Sequence, residues 1–342
     1  MRISFGLPTC MEGMMYPVPF ATPDQIIELA QHAEALGYHS VWGNDHMTTQ
    51  RYVREEFPDA PNFWEVLITL AFVAAETTSL RIATGVLVPA MRRDIVVVAK
   101  QLATLDQFSK GRLLVGMGVG AYREEFEALQ PGREVRRGDL LEESIQALQN
   151  LFGQRVASWS GTYYAYADVE MYPKPFQDPL PIYVGGNNAN AVRRSALYAE
   201  GWMGAGMPAD QMRSSVARLR EIAQEHGRDP DAIDIAPQFV ACIGSSHEQA
   251  RARFRSSQMY QHLVSLSATT LKDQVAAGLK FEEIDLIGTG DEIAAKIEEL
   301  REAGVTHVSG LLFPANSVQE LKDQMQEFAE EVFPRVGTRR DH

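Results

Sequence analysis

The chain has 342 residues, 45% of them hydrophobic and 23% charged, with a formal net charge of −13. That balance is ordinary for a soluble globular enzyme, and the acidic excess excludes a general nucleic-acid or anionic-membrane surface, because binding phosphate backbones takes clustered Lys and Arg. Two cysteines, Cys10 and Cys242, lie far apart and in no metal spacing, which excludes a disulfide framework and suits a reducing compartment.

The opening MRISFGLP lacks a basic segment followed by a long apolar run, and no stretch approaches the ~20 apolar residues of a membrane span, so the expected location is the cytoplasm. Arg2 to Leu7 reads as a strand. Thr22 to Leu36 reads as a helix, with Thr22 its cap, Pro23 at its first position and Gly37 closing it. Tyr38 to Gly43 is a second strand and Pro61 to Thr77 a second helix. The stretch from Leu80 to Gly120 then organises the rest: an apolar, β-branched strand from Arg81 to Val88, a helix from Asp94 to Phe108, and a strand from Leu113 to Val119. A βαβ unit of this length makes its strands parallel, which puts any chemistry at their carboxyl ends. Gly85, Gly116, Gly118 and Gly120 strip those ends of side chains, where a flat ligand can approach the backbone.

After Gly120 the alternation is interrupted by a long helix from Arg133 to Phe152 and a hairpin from Val156 to Tyr166 turning near Gly161. It resumes with strand Ile182 to Val184, helix Asn188 to Ala199, strand Gly201 to Gly204, helix Pro208 to His226 and strand Ile233 to Ile243. An irregular insertion from Arg255 to Asp285 precedes helix Asp291 to Ala303, strand Val305 to Phe313 and helix Val318 to Val332. Eight strands in βα order favour a closed (β/α)₈ TIM barrel, one domain over 1–336 with insertions near 121–180 and 255–285, followed by a frayed tail at 337–342.

On this scheme Asn44, Asp45 and His46 meet at the rim after the second strand, where a carboxylate can orient or charge an imidazole, although a capping Asp beside an incidental surface His would read the same way. The paired Gly185 and Gly186 leave amides bare where a helix begins, Asn187 and Asn188 can cap that helix, and Arg193 or Arg194 can swing back toward an anion. A simple tight turn is the plainer alternative. Lys100, Lys110, Lys174, Lys272, Lys280, Lys296 and Lys322 fall away from strand ends, which disfavours a Schiff-base aldolase. No HxH or HExxH pair marks a metal hydrolase, and no P-loop or GxSxG elbow is present. Cys10 has no base beside it in sequence and reads as a small apolar residue. Met11, Met14, Met15, Tyr16, Phe20, Phe63 and Trp64 serve pocket and core equally well.

The segments AEALGYHSVWGNDH, ATLDQFSKGRLLVGMGVGAYREEF, GTYYAY and PIYVGGNN, in this order over nearly the whole chain, closely resemble the luciferase-like monooxygenase family of flavin and deazaflavin enzymes. The resemblance implies a barrel binding coenzyme F420 or FMN in its mouth, with a cis non-proline peptide at Gly85-Val86 behind the central ring. It also implies a phosphate turn at Gly185 and Gly186, with Asp45 and His46 beside the reactive ring. Glucose-6-phosphate dehydrogenases of this family carry a tryptophan and a glutamate where this chain has Gln50 and Ala121, which speaks against sugar-phosphate activity. WGNDHM resembles the deazaflavin branch more than the EHH of luciferase-type FMN members. The implied activity is hydride transfer to or from a C=C, C=N or C=O bond, with His46 as proton donor or anion stabiliser held by Asp45, Arg193 as phosphate partner, and a homodimer as the assembly. Three alternatives stand beside it. One is an FMN-dependent monooxygenase fed by a flavin reductase. Another is a flavin-binding protein without turnover, and the third a phosphate-dependent barrel lyase or isomerase using Asp45 and His46 directly.

Overall fold

Parallel strands joined by right-handed helical crossovers can only be laid side by side, and the computed structural model, which describes residues 1–266, 278 and 280–338, follows that rule. Strands β1 (Arg2–Leu7), β2 (Ser40–Gly43), β3 (Arg81–Leu87), β4 (Leu113–Met117), β7 (Ile182–Gly185) and β8 (Gly201–Met203) pair in this order, all parallel. Next come β9 (Asp234–Ile235) and β10 (Gln238–Ile243), two halves of one extended segment broken at Ala236 and Pro237. The first half pairs with β8, the second with β12 (His307–Leu312), and β12 with β1, so the sheet curls back on itself as a barrel. The single strand expected over Ile233 to Ile243 is thus two. Pro237 has no N–H to give the ladder.

The helices form where the sequence places their stop signals. In α1 (Pro23–Leu36) Thr22 caps the first turn and Gly37 ends the helix at φ +88°. Asp94 caps α4 (Ile95–Phe108), accepting from the amides of Val96 and Val97. Elements with no counterpart in the sequence reading include α2 (Arg51–Glu56), α5 (Arg123–Leu129), α9 (His247–Arg255) and the edge strand β11 (Leu286–Gly288) on β10. Helix α3 spans Val66–Glu76, and α6, Arg137–Gly153, begins four residues later than expected. The hairpin is β5 (Ala157–Ser160) against β6 (Ala165–Val169), closed by the Gly161 amide on the Tyr164 carbonyl. Helix α8 (Ala209–Glu225) follows β8, and the second insertion contributes α10 (Gln258–Leu266); residues 267–277, with Lys272, residue 279 and the tail from 339 lie outside the described residues.

Inside the barrel, Trp42, Ala83, Leu114, Tyr183, Met203 and Ala236 form a small separate core, with Trp42 and Tyr183 edge to face at 5.5 Å. Beneath it lies a polar layer in which Ser4 meets both Ser40 and His307 Nε2 at 2.6 Å, and Asp234 takes Arg2 at 2.6 Å and the Tyr183 hydroxyl at 2.9 Å. This plug fills the barrel, so a ligand can reach the strands only from an end.

Candidate active site

At the carboxyl end of β2 the three consecutive polar residues take three different partners. Asn44 ties the loop after β1 in place: its Oδ1 accepts from Thr9 Oγ1 at 2.8 Å and the Cys10 amide at 3.1 Å, while Nδ2 donates to the Cys10 carbonyl at 3.0 Å. Asp45 is buried and turns toward β3. It accepts from the Val88 amide at 3.0 Å and from both guanidinium ends of Arg92, at 2.5 and 3.2 Å, and Arg92 reaches on to Glu65 at 2.7 Å. Burial pushes the Asp45 carboxyl up and the adjoining Arg92 charge pulls it back.

His46 therefore takes its carboxylate from elsewhere. Its Nδ1 lies 3.0 Å from Oε2 of Glu125, on α5, whose other oxygen accepts from the Met47 amide at 2.5 Å and the Thr48 amide at 3.3 Å. Glu124 similarly receives the Arg51 amide at 2.9 Å, so the amino end of α5 staples the 46–51 loop to the rim beyond β4. The expectation that Asp45 holds His46 is corrected by this geometry: both Asp45 oxygens are committed to Arg92 and Val88, and Glu125 supplies the partner. Around the imidazole stand Phe63 at 5.8 Å and Tyr122 at 5.9 Å between ring centres, and the fully buried Gln50, whose Nε2 lies 3.3 Å from Nδ1. The Tyr52 hydroxyl meets Nδ1 of His262, on α10, at 2.9 Å, and burial pulls that histidine down to about 4.

At the end of β3 the Gly85-Val86 peptide is cis, as the resemblance implies, and the β3–β4 register shifts between Thr84 and Leu87. The nearby glycines answer first to the protein itself. A Cβ on Gly116 would lie 2.2 Å from the Thr84 carbonyl oxygen, one on Gly118 2.5 Å from Val86 Cγ2, and one on Gly185 2.9 Å from Val86 Cγ1. Val86 thus fills the space between β4 and β7 that the bare backbone was expected to leave for a ligand.

Gly186 has φ +117°, a conformation L side chains rarely adopt, and Asn188 caps α7 (Ala189–Tyr198) by accepting from the Ala191 amide at 2.9 Å. Asn187 instead clasps Ala205 after β8, at 2.7 and 3.1 Å. Arg193 does not face the turn. Together with Arg194 and the Tyr198 hydroxyl it converges on Glu142 of α6, at 3.0, 3.3 and 3.0 Å. Nearer the strand ends stands Arg137, whose Nη1 donates to the carbonyls of Val119 and Gly120, just past β4, at 3.1 and 2.8 Å.

Cys10 is buried, donates to the Trp64 carbonyl at 3.2 Å, and has its thiol pushed up to about 12 by burial, which suits packing and not attack. Among the described residues no group of three or more His, Cys, Asp or Glu could hold a metal ion. A cavity of about 970 Å³ lined by Gly37, His39, Leu80, Arg81 and Arg112 opens at the opposite, amino-terminal end of the strands.

Known proteins resemble this chain in sequence and in fold. The F420-dependent glucose-6-phosphate dehydrogenase of Kineococcus radiotolerans is 27% identical over 328 residues, 91% of this chain and 93% of that one. The F420-dependent hydroxymycolic acid dehydrogenase of Mycobacterium tuberculosis is 29% identical over 234 residues, 67% and 62% of the two chains. Among solved structures, monooxygenase RslO1 from Streptomyces bottropensis superposes with TM-score 0.80 at 23% identity, over 98% of this chain and 100% of that one. An F420-dependent secondary alcohol dehydrogenase follows with TM-score 0.78 at 21% identity, over 98% of each chain. Residues 1–307 match the luciferase-like monooxygenase family as a whole, and the chain belongs to that family.

Proposed function

We propose that this protein is a coenzyme F420-dependent oxidoreductase that passes hydride to or from a small organic substrate at a C=C, C=N or C=O bond. The observation that carries the reading is the His46 imidazole, anchored by a buried carboxylate at the barrel rim where the cis Gly85-Val86 bulge also ends. The curated relatives named above are F420-dependent dehydrogenases, which supports the same cofactor.

The residues present fit such a group. At the amino end of α7 the amides of Ala189 and Asn190, ahead of the capped Ala191, are placed to donate to a phosphate; the Gly186 amide is held by the Met203 carbonyl at 3.0 Å, and Val86 packs against Gly185. When bound, the deazaflavin supplies or accepts hydride at a ring carbon and reacts poorly with oxygen. The chain contributes a proton at His46 and the aromatic walls of Phe63, Tyr52 and Tyr122. Glucose 6-phosphate is disfavoured as the substrate: Gln50, packed beside His46, and Ala121, exposed at the rim, stand where the dehydrogenases carry tryptophan and glutamate.

The assembly is a homodimer in this reading. Helix α3 turns Ile68 and Phe72 outward, each 62% exposed, beside Val97 of α4, an apolar face that a second copy would cover. The compartment is the cytoplasm, in keeping with two buried, unpaired cysteines; among the described residues no helix is long and apolar enough to cross a membrane.

Fluorescence titration of cofactor-free protein with F420 and with FMN tests the proposal. Micromolar binding of F420 alone is expected. FMN binding with oxygen uptake by the reduced form would replace the reading with a reductase-fed monooxygenase, and binding of neither would overturn both.

A further inference from the structure

His46 Nδ1 has two neighbours that ask opposite things of it. Glu125 Oε2, at 3.0 Å, can only accept while ionised, whereas Gln50 Nε2, at 3.3 Å, can only donate. An imidazole nitrogen has one in-plane position, filled by a hydrogen or by a lone pair, so both neighbours cannot be satisfied at once. The carboxylate prevails for two reasons. Its bond is the shorter and is charge-assisted. Its second oxygen is also held by the amides of Met47 and Thr48, which keeps a carboxylate only 4% exposed from turning away. Gln50 is the loose party. Its Oε1 is buried without a partner, so whichever way the amide is turned, one of its polar atoms goes unsatisfied.

We propose that Glu125 is a positioning residue that holds His46 in the Nδ1–H tautomer, so that Nε2 carries the lone pair that exchanges a proton with the substrate oxygen. The tautomer stands on the geometry alone; the substrate step rests on the F420 reading above. In the oxidising direction an alcohol O–H bond breaks and its proton passes to Nε2, while the carbinol C–H electron pair leaves as hydride to the oxidised deazaflavin, and a carbonyl remains. The reverse direction returns the proton from Nε2 to the new hydroxyl. Glu125 then faces an imidazolium through the same bond, the relation by which a buried carboxylate orients and stabilises a catalytic histidine in hydrolase triads. Asp45 cannot take this part, since Arg92 and the Val88 amide occupy it.

The tautomer can be read without cofactor or substrate. Protein labelled with ¹⁵N-histidine, held at a pH above which the His46 signals no longer shift, gives multiple-bond ¹H–¹⁵N correlations that distinguish the two tautomers. The His46 signals are those lost in His46→Ala. The wild type is expected to show the Nδ1–H pattern. In Glu125→Gln the new amide can still accept from the Met47 and Thr48 amides while its NH₂ faces Nδ1, so His46 is expected to switch to Nε2–H; Glu125→Asp and Gln50→Leu are expected to keep Nδ1–H. An Nε2–H wild type, or the same tautomer in wild type and Glu125→Gln, overturns the proposal. With a secondary alcohol that the wild type oxidises, Glu125→Gln should lower kcat about 100-fold or more at unchanged KM and F420 affinity. If the wild type fails to bind F420, the proposed function falls and the tautomer result still stands. If it binds and turns over while the tautomer disagrees, only this inference falls.

Discussion

Gly118 allows the site's construction to be tested by a double-mutant cycle. A methyl added there would sit 2.5 Å from Val86 Cγ2 and 3.4 Å from its Cβ. Carbon atoms pack at about 3.5–4.0 Å, so the valine would have to retreat by roughly 1 Å. As a β-branched residue it has little freedom at χ1 to do so, and its other methyl is already against Gly185. Overpacking of this kind costs about 1–3 kcal/mol. Val86→Ala alone removes two methyls, about 1–2 kcal/mol at roughly 0.8 kcal/mol per buried carbon. If the two effects were independent the double variant would lose the sum. The structure predicts that the clash vanishes with the valine, leaving Gly118→Ala nearly neutral in the alanine background and a coupling of at least 1 kcal/mol. Urea unfolding of the four proteins measures it. Additivity within about 0.5 kcal/mol, with Gly118→Ala abolishing F420 binding at unchanged stability, would show that the glycine is kept bare for the ligand and refute the packing argument.

Arg92→Leu should cost about 3 kcal/mol in urea unfolding, because it strands the buried Asp45 carboxylate, and Arg92→Leu/Asp45→Asn should recover more than half. Asp285, fully buried, is pushed up to about 7 by desolvation from an ordinary value near 3.9. The folded state therefore holds a proton that the unfolded chain has released between about pH 4 and 7. Stability from this group falls as pH rises through that window. Asp285→Asn, which can still accept from the Val240 amide, should raise the unfolding midpoint at about pH 8 and change it little near pH 4; no gain at the higher pH would contradict the assignment. Phe72→Glu should halve the mass seen by light scattering, and a wild type that is already monomeric would remove the dimer from the proposal.

The alternation that makes the barrel was legible because its signals are local. Thr22, Pro23 and Gly37 bracket α1, Asp94 opens α4 and Asn188 opens α7, each where the residue chemistry asks for it. What escaped was short or was decided by neighbours. Helices α2 and α5 run six and seven residues, too few turns to build a periodic apolar face. The break at Pro237 was visible as a proline inside a strand pattern, and the rule that such a residue ends ladder pairing would have found it.

The site residues divide along the same line. His46 and the Gly186 turn could be named because each is a property of one short stretch, whereas the cis bulge followed only from the family resemblance. Their partners could not. Asp45 and His46 are adjacent in sequence, yet successive residues leaving a strand project to opposite sides, so adjacency argues against their pairing. The true partner comes from 79 positions away, because a barrel brings the loops of different strands to one rim. Arg193 fails for the complementary reason: it lies on α7, which packs against α6, and its guanidinium is held there by Glu142 at 3.0 Å. The available signal was the Glu124-Glu125 pair one turn past the strand-four glycines. Phe126 anchors this short helix in the core, which leaves the two carboxylates at its amino end to bind a neighbouring loop, and here they bind the one that carries the histidine.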